Sequence, residues 1–232
     1  MFQLKSLIAP ALLALALILG ACIVQPAAPP SSVAALGPTK AATQPVPDSL
    51  SAIEADAEDV MDSVPTGNWQ QIDKDASHMA AAWQDYLPQA GKDGAPADVQ
   101  TAMQAALARL QTAVKAQATD ATLQAANDIS AAVVELFAIY KSDVPADIGR
   151  LDVLGRQLIL DVTAGNWTKA AQTLDQTGAV WSKVKPSALA HKGERAATLY
   201  DASLAAQADW LKAKNAEKLT AEAQNGLELV DA

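Results

Sequence analysis

The sequence predicts an all-α protein with an internal duplication, arranged as two tandem antiparallel four-helix bundles. Three observations carry that prediction. Alanine is abundant, aromatic residues make up only 4% of the chain, and no alternating apolar–polar run long enough for a strand is present. Apolar residues recur instead at helical spacing. The chain also repeats itself: Gly67-Asn68-Trp69, followed by Trp83 and Pro88, returns as Gly165-Asn166-Trp167, followed by Trp181 and Pro186. In both copies thirteen residues separate the tryptophans and four separate the second tryptophan from the proline.

A shift of 98 positions extends the match from Val46 to the C-terminus, fading only around residues 95–115. Leu50, Ile53, Val60, Met61 and Val64 fall on Ile148, Leu151, Leu158, Ile159 and Val162, apolar each time. Such self-similarity marks a duplication. The expected organisation is a signal segment at residues 1–21, a tether at 22–47, a first four-helix repeat at 48–143 and a second at 144–232. A single continuous helical solenoid is the alternative, because the same hairpins could build it.

The signal segment has a short positive start at Lys5 and an apolar run from Leu7 to Leu19, broken only by Pro10. Its length suits a secretory signal better than a membrane span. It ends Leu19-Gly20-Ala21-Cys22, which resembles the lipobox of bacterial lipoproteins at all four positions. The resemblance implies cleavage before Cys22, a diacylglyceryl thioether on its sulfur and an acyl chain (palmitate or similar) on the new amino group. Several chains hold a protein on a membrane where one does not. Ile23 follows, rather than the aspartate associated with inner-membrane retention, so the resemblance favours the outer membrane where the host has one. Cys22 is the only cysteine, which excludes disulfides within one chain. From Ile23 to Pro47 the chain is Pro, Ala, Ser, Thr and Gln with one charge at Lys40, a composition expected of an extended tether.

The first helix is expected over about residues 49–64, capped by Asp48 or Ser49, with Leu50, Ile53, Ala57, Val60, Met61 and Val64 on its apolar side and Pro65 stopping it. Gly67 suits a left-handed exit, and Asn68 can accept from the next turn. The second helix opens at Trp69. Its heptad seam is Trp69, Ile72, Ala76, Met79, Trp83 and Tyr86, matched by Trp167, Ala170, Leu174, Thr177, Trp181 and Val184. Only Thr177 breaks it. Lys92–Pro96 reads as a loop. The third helix, about 97–117, carries Val99, Met103, Leu107, Leu110 and Val114. The fourth begins near Asp120, and its last turns, through Leu136, Phe137 and Tyr140, are apolar on most sides and should contact both copies. Ser142 to Pro145 ends it. The second copy is expected at about 147–164, 167–185, 193–214 and 216–230. The Gly-Asn-Trp…Trp hairpin resembles those of uncharacterised bacterial membrane-associated helical proteins over about thirty residues per copy. It is more distantly similar to tetratricopeptide hairpins, whose full consensus is absent, and neither resemblance implies an activity.

The formal net charge is −9, which disfavours nucleic-acid binding. Residues 46–134 hold 13 acids and 4 bases, whereas residues 144–232 hold 11 acids and 10 bases. The first copy, with Glu54, Asp56, Glu58, Asp59, Asp62, Asp73 and Asp75, is therefore expected to offer an acidic face to a basic protein or to cations. The stripe Glu54, Glu58, Asp62 reads as solvated. His78 is expected to face solvent and His191 to lie in the loop after Pro186. Neither has the converging partners a metal needs, and Cys-x-x-Cys-His for covalent haem is absent, so Met61, Met79 and Met103 read as core. Asn127 and Asn225 fall mid-helix, where hydrogen bonding inside each bundle would account for them. A nucleophile with its base, a Gly-rich phosphate loop and paired catalytic carboxylates are all missing. No cofactor, metal or catalytic residue is expected. The functional expectation is a non-enzymatic interaction or binding lipoprotein, with a small-ligand or metal-binding lipoprotein as the alternative.

Overall fold

Eight helices follow one another in a computed structural model that describes residues 44–142 and 144–230. They are α1 (Asp48–Ser63), α2 (Trp69–Asp93), α3 (Ala97–Lys115), α4 (Thr119–Phe137), α5 (Ala146–Thr163), α6 (Trp167–Ala190), α7 (Glu194–Lys212) and α8 (Ala216–Val230), with a 3₁₀ turn at Val64–Thr66. The protein is all-α. The signal segment, the lipobox and most of the tether lie outside the described residues.

Local chemistry sets the helix ends. Gly67 and Gly165 adopt left-handed conformations, φ 70° and 68°, and each hands the chain to an asparagine cap. Asn68 accepts from the Gln71 N–H at 3.4 Å, and Asn166 from the Lys169 N–H at 3.3 Å, satisfying a donor that the first turn leaves free. At α1 the expected side-chain cap is absent: Pro47 occupies the cap position and Asp48 is the first helical residue. α6 is longer than the sequence suggests, running through Pro186 to Ala190, while α2 runs through Pro88 to Asp93, two residues into the expected loop. A proline inside a helix costs one backbone bond. In α2 the further turn buries Ala90 completely, and the helix ends only at Gly94, φ 84°.

The helices pack in two groups of four. In the first, α1 packs on α2 and α4, and α3 on α2 and α4; in the second, α5 packs on α6 and α8, and α7 on α6 and α8. Contact between α4 and α5 joins the groups. All of the described residues belong to one compact unit.

The first group has a single continuous core. Leu50, Ile53, Ile72, Met79, Trp83, Tyr86, Met103, Leu110, Ile129 and Leu136 are all inaccessible or nearly so. The expected seam of α2 lies in this core, although Trp69 at its start is only half-buried. In the second group the apolar core is in two pieces, one around Leu158, Ala170, Leu174 and Leu219, the other around Leu151, Trp181 and Tyr200.

The chain enters the first group at Gln44, whose carbonyl accepts the Lys141 N–H at 2.8 Å, while Pro45 forms an isolated bridge with Lys141. Beside it, the Tyr140 hydroxyl donates to Asp93 at 2.6 Å and lies 3.0 Å from the Tyr86 hydroxyl. Burial, together with these two partners, pushes the Tyr140 phenol far above its ordinary range. The start of α1, the end of α2 and the α4–α5 connection are thereby fastened together.

Candidate functional site

α4 is covered on two sides. Ile129, Val133 and Leu136 face the first core, while Gln124, Asn127, Ser130 and Val134, at near-regular three-residue spacing, form a second stripe. Gln124 and Asn127 of that stripe meet α5. Asn127 Nδ2 donates to the Val153 carbonyl at 3.2 Å and to Gln157 Oε1 at 3.1 Å. The amides of Gln124 and Gln157 exchange hydrogen bonds at 2.8 and 3.2 Å.

These bonds belong to a longer chain. Arg109 on α3 pairs with Asp128 at 2.9 Å, and Gln124 Nε2 donates to the other oxygen of Asp128 at 2.9 Å. On the α5 side, Gln157 Nε2 donates to Asp161 at 3.1 Å, and Thr173 on α6 donates to Asp161 at 2.8 Å. The line Arg109, Asp128, Gln124, Gln157, Asp161, Thr173 runs from one group of helices into the other. Nearer the α4–α5 connection, Arg150 holds Glu135 through two bonds of 2.7 and 2.9 Å and Asp147 at 2.6 Å, which raises the guanidinium above its ordinary range. A two-pronged pair of this kind is directional as well as strong.

α1 supplies the third wall. Arg156 on α5 reaches Glu58 on α1 at 2.9 Å, and these two residues are counterparts under the 98-residue shift. One turn earlier lies Glu54. Its Oε2 is enclosed with no hydrogen-bond partner. Burial, then the Glu58 carboxylate, raises its carboxyl to about 7; Arg156 and the nearby Ser130 hydroxyl, which makes no hydrogen bond of its own, pull the other way, and Asp152 adds to the rise. Ser130 and Asn127 are buried, and Asn127 Oδ1 and Arg156 Nη1 are enclosed without a partner. The seam can therefore fasten α1, α4 and α5 together and exchange a proton near neutral pH.

This corrects several sequence expectations. Glu54 is not on a solvated stripe. Asp75 is also buried, bonded by the Gln71 amide at 2.7 Å, and only 14% of the Asp56 side chain is exposed. A helical period shows which side is apolar; it does not show that a polar side facing a neighbouring helix is covered. Of the seven acids expected on that face, Glu58, Asp59, Asp62 and Asp73 are exposed. His78 is exposed, as expected, but lies 2.6 Å from Asp56. Burial raises the Asp56 carboxyl and the His78 contact lowers it. His191 is the residue capping α6, its Nδ1 2.8 Å from the Ser187 carbonyl. Met79 and Met103 are fully buried and Met61 is half-buried against the same core. Asn127 bonds across to α5, not inside its own group, whereas Asn225 is exposed and bonds Glu222 at 2.9 Å. Among the described residues no group of three or more His, Cys, Asp or Glu side chains is placed to hold a metal ion, and no helix is long and apolar enough to cross a membrane. Cys22 lies outside the described residues.

Sequence reasoning missed the Gln124–Gln157 and Glu54 contacts. The available signal was Gln124, Asn127 and Ser130, polar at a spacing of three along one side of α4. No protein-family model matches the chain, and no curated protein and no solved structure matches it.

Proposed function

We propose that the protein is a membrane-anchored extracytoplasmic lipoprotein, held through Cys22, that acts as a non-enzymatic interaction module. The observation that carries this reading is Leu19-Gly20-Ala21-Cys22, at the end of an apolar run and before a tether without apolar periodicity. On this reading the lack of an aspartate after Cys22, where Ile23 stands, favours the outer membrane of a host that has one. The body is two four-helix bundles produced by duplication. That arrangement is supported by the return of α4 onto α1 and of α8 onto α5, since each group of four then closes on itself instead of leaving a face for the next hairpin to cover.

The partner surface is the acidic face of the first bundle, reduced to Glu58, Asp59, Asp62 and Asp73. A basic protein or cations would recognise it, and nucleic acid would not. Such contacts weaken as salt rises, because exposed charges are screened within about 8 Å at physiological ionic strength.

Two experiments test the reading. Mass spectrometry of the native N-terminus should find an acylated Cys22, with Cys22→Ser left unprocessed or misplaced; an unmodified Cys22 inside a longer chain would remove the anchor. Envelope proteins captured on the body should elute at high salt and be lost from a variant with Asp59, Asp62 and Asp73 changed to Asn. Capture indifferent to both would leave the acidic face as plain solvated surface.

A further inference from the structure

The exposed apolar residues lie at the end of the body from which the tether leaves. The described chain begins at Gln44, which the Lys141 N–H holds beside the start of α1 and the end of α2. The second group presents its matching end on the same side. Ile148 near the start of α5, Ala188 near the end of α6, Ala197 near the start of α7 and Leu229 near the end of α8 share one cluster. Among the described residues three large apolar side chains are exposed: Val144 at 58%, Leu189 at 42% and Leu199 at 44%. All three belong to this end, in the α4–α5 connection, the last turn of α6 and the second turn of α7. The opposite end, where α1 runs into α2, carries Asp59, Asp62 and Asp73 instead.

The turn between α6 and α7 adds bases to the leucines. Residues 183–199 hold Lys183, Lys185, Lys192 and Arg195 against one acid, Glu194. Lys185 is taken by Asp201 at 2.6 Å. Lys183, Lys192 and Arg195 are exposed and enter no ion pair among the described residues. Arg195 and Leu199 stand one turn apart on the same side of α7, and the Lys192 N–H bonds the Leu189 carbonyl at the turn. Side chains of this kind lay their stems on apolar surface and keep their charged heads in a polar layer. Elsewhere at this end exposed acids, Asp48, Asp98 and Glu228, offset the bases, which confines the patch to the α6–α7 tip. Lysines also stand at the far end of the second group, but Lys212 pairs with Asp209 and Lys218 lies over the Trp210 ring.

We infer that the α6–α7 tip is a second membrane contact: Leu189 and Leu199 enter the headgroup layer of the bilayer that holds the Cys22 acyl chains, Lys192 and Arg195 meet its phosphates, and the acidic end faces away. The inference rests on the lipid anchor proposed above and adds an orientation to it. Twenty-one residues separate Cys22 from Gln44, a length that spans at most about 75 Å. Within that reach the tip meets the surface at the high effective concentration that linkage confers. Two leucines and a few bases would not hold a free protein on a membrane. Here the acyl chains retain the protein, and the tip only sets which way the body stands.

The test uses the acylated protein, purified from membranes and reconstituted into vesicles of phosphatidylcholine and phosphatidylglycerol. Acylation consumes the Cys22 thiol, so one introduced cysteine carries the only dye, Ala190→Cys at the tip or Ala213→Cys at the far end. Headgroup spin-labelled lipid should quench the tip dye several-fold more than the far one. Lys192→Gln and Arg195→Gln combined with Leu189→Ser, all at exposed positions, should bring that ratio close to one while the protein stays on the vesicles. Equal quenching at the two sites in the parent protein overturns the contact, and so does a ratio that the substitutions leave unmoved. Protein that leaves the vesicles, with Cys22 found unmodified by mass spectrometry, overturns the anchor itself and the orientation with it.

Discussion

The two groups of four helices follow the same order of elements, yet they are built inside in different ways. In the first, twenty-five buried apolar residues form one cluster from Leu50 to Tyr140. In the second, eleven do, in clusters of six and five. Between those two clusters lie Thr173, Thr177, Ser203 and Gln207, all buried and all hydrogen-bonded. Thr177 is the counterpart of Met79 and Thr173 of Asp75 under the 98-residue shift. A helical pattern can be kept while the core it encloses changes from apolar to mixed. The consequence is energetic, because buried polar groups that are satisfied roughly break even, whereas apolar ones contribute about 25 cal/mol for each Å² removed from water.

The largest effect should appear when the groups are separated. Residues 44–143 alone are expected to melt cooperatively, and residues 144–232 alone to melt broadly or not at all, as read by circular dichroism. Two sharp melts would mean that the mixed core suffices by itself. Loss of cooperativity in both would mean that the α4–α5 seam is part of a single folding unit.

Next come the two tryptophans. Trp83 is 1% exposed, packs against Tyr86 with ring centres 5.5 Å apart, and lies within the continuous core. Trp181 is 8% exposed, packs on Tyr200 at 4.5 Å and donates its N–H to Asp201 at 2.7 Å, at the edge of a five-residue cluster. Trp83→Ala should cost about 3–5 kcal/mol, as emptying an aromatic core site does. Trp181→Ala should cost less, since its surroundings can relax toward solvent. Urea melts of the two variants measure the gap, and equal costs would remove the distinction between the cores.

The polar belt should itself divide. The Thr173 hydroxyl bonds the buried Asp161 carboxylate, so Thr173→Val leaves that carboxylate short of a donor and should cost about 1–3 kcal/mol. The Thr177 hydroxyl bonds only the Thr173 carbonyl of its own helix, which already serves as a helix acceptor. Thr177→Val should therefore stabilise by about 0.5–1 kcal/mol, the worth of roughly one buried methyl group. A loss at Thr177 as large as that at Thr173 would show that the belt works as one network.

What could be read from the sequence follows the same division. Trp83, Met79 and Ile72 were legible because an apolar residue at helical spacing has one good place to go. Asn68 and Asn166 were legible because a cap is a local device. The positions of Glu54, Asn127 and Gln157 were not, since a polar side chain facing a neighbouring helix has the same period as one facing water. The continuation of α6 beyond Pro186 was hidden for another reason: a proline inside a helix costs one backbone bond, and the turn after it seats Ala188 against the core around Trp181.

The smallest effect concerns two glycines of α5, and it probes the seam and the second core separately. A methyl group at Gly149 would lie 2.8 Å from Val134 Cγ2, and one at Gly155 would lie 2.6 Å from Leu227 Cδ2. The second approach is closer, yet it should be the milder. Leu227 meets Gly155 with the far end of a flexible side chain that is only half-buried, and a change of rotamer there costs about 0.5–1.5 kcal/mol. Alanine regains about 1 kcal/mol of helix preference over glycine, so Gly155→Ala should leave stability nearly unchanged. Its counterpart in the first group is already an alanine, the fully buried Ala57. Val134 is β-branched, stiff at its first torsion and only 4% exposed. It cannot swing aside, so α4 and α5 must part, at a cost of about 1–3 kcal/mol for overpacking. After the same helix gain, Gly149→Ala should be the less stable of the two by a small margin, with the loss confined to the seam. Hydrogen exchange in α4 and α5 is the sensitive measurement, because faster exchange there with an unchanged second core distinguishes a strained seam from general destabilisation.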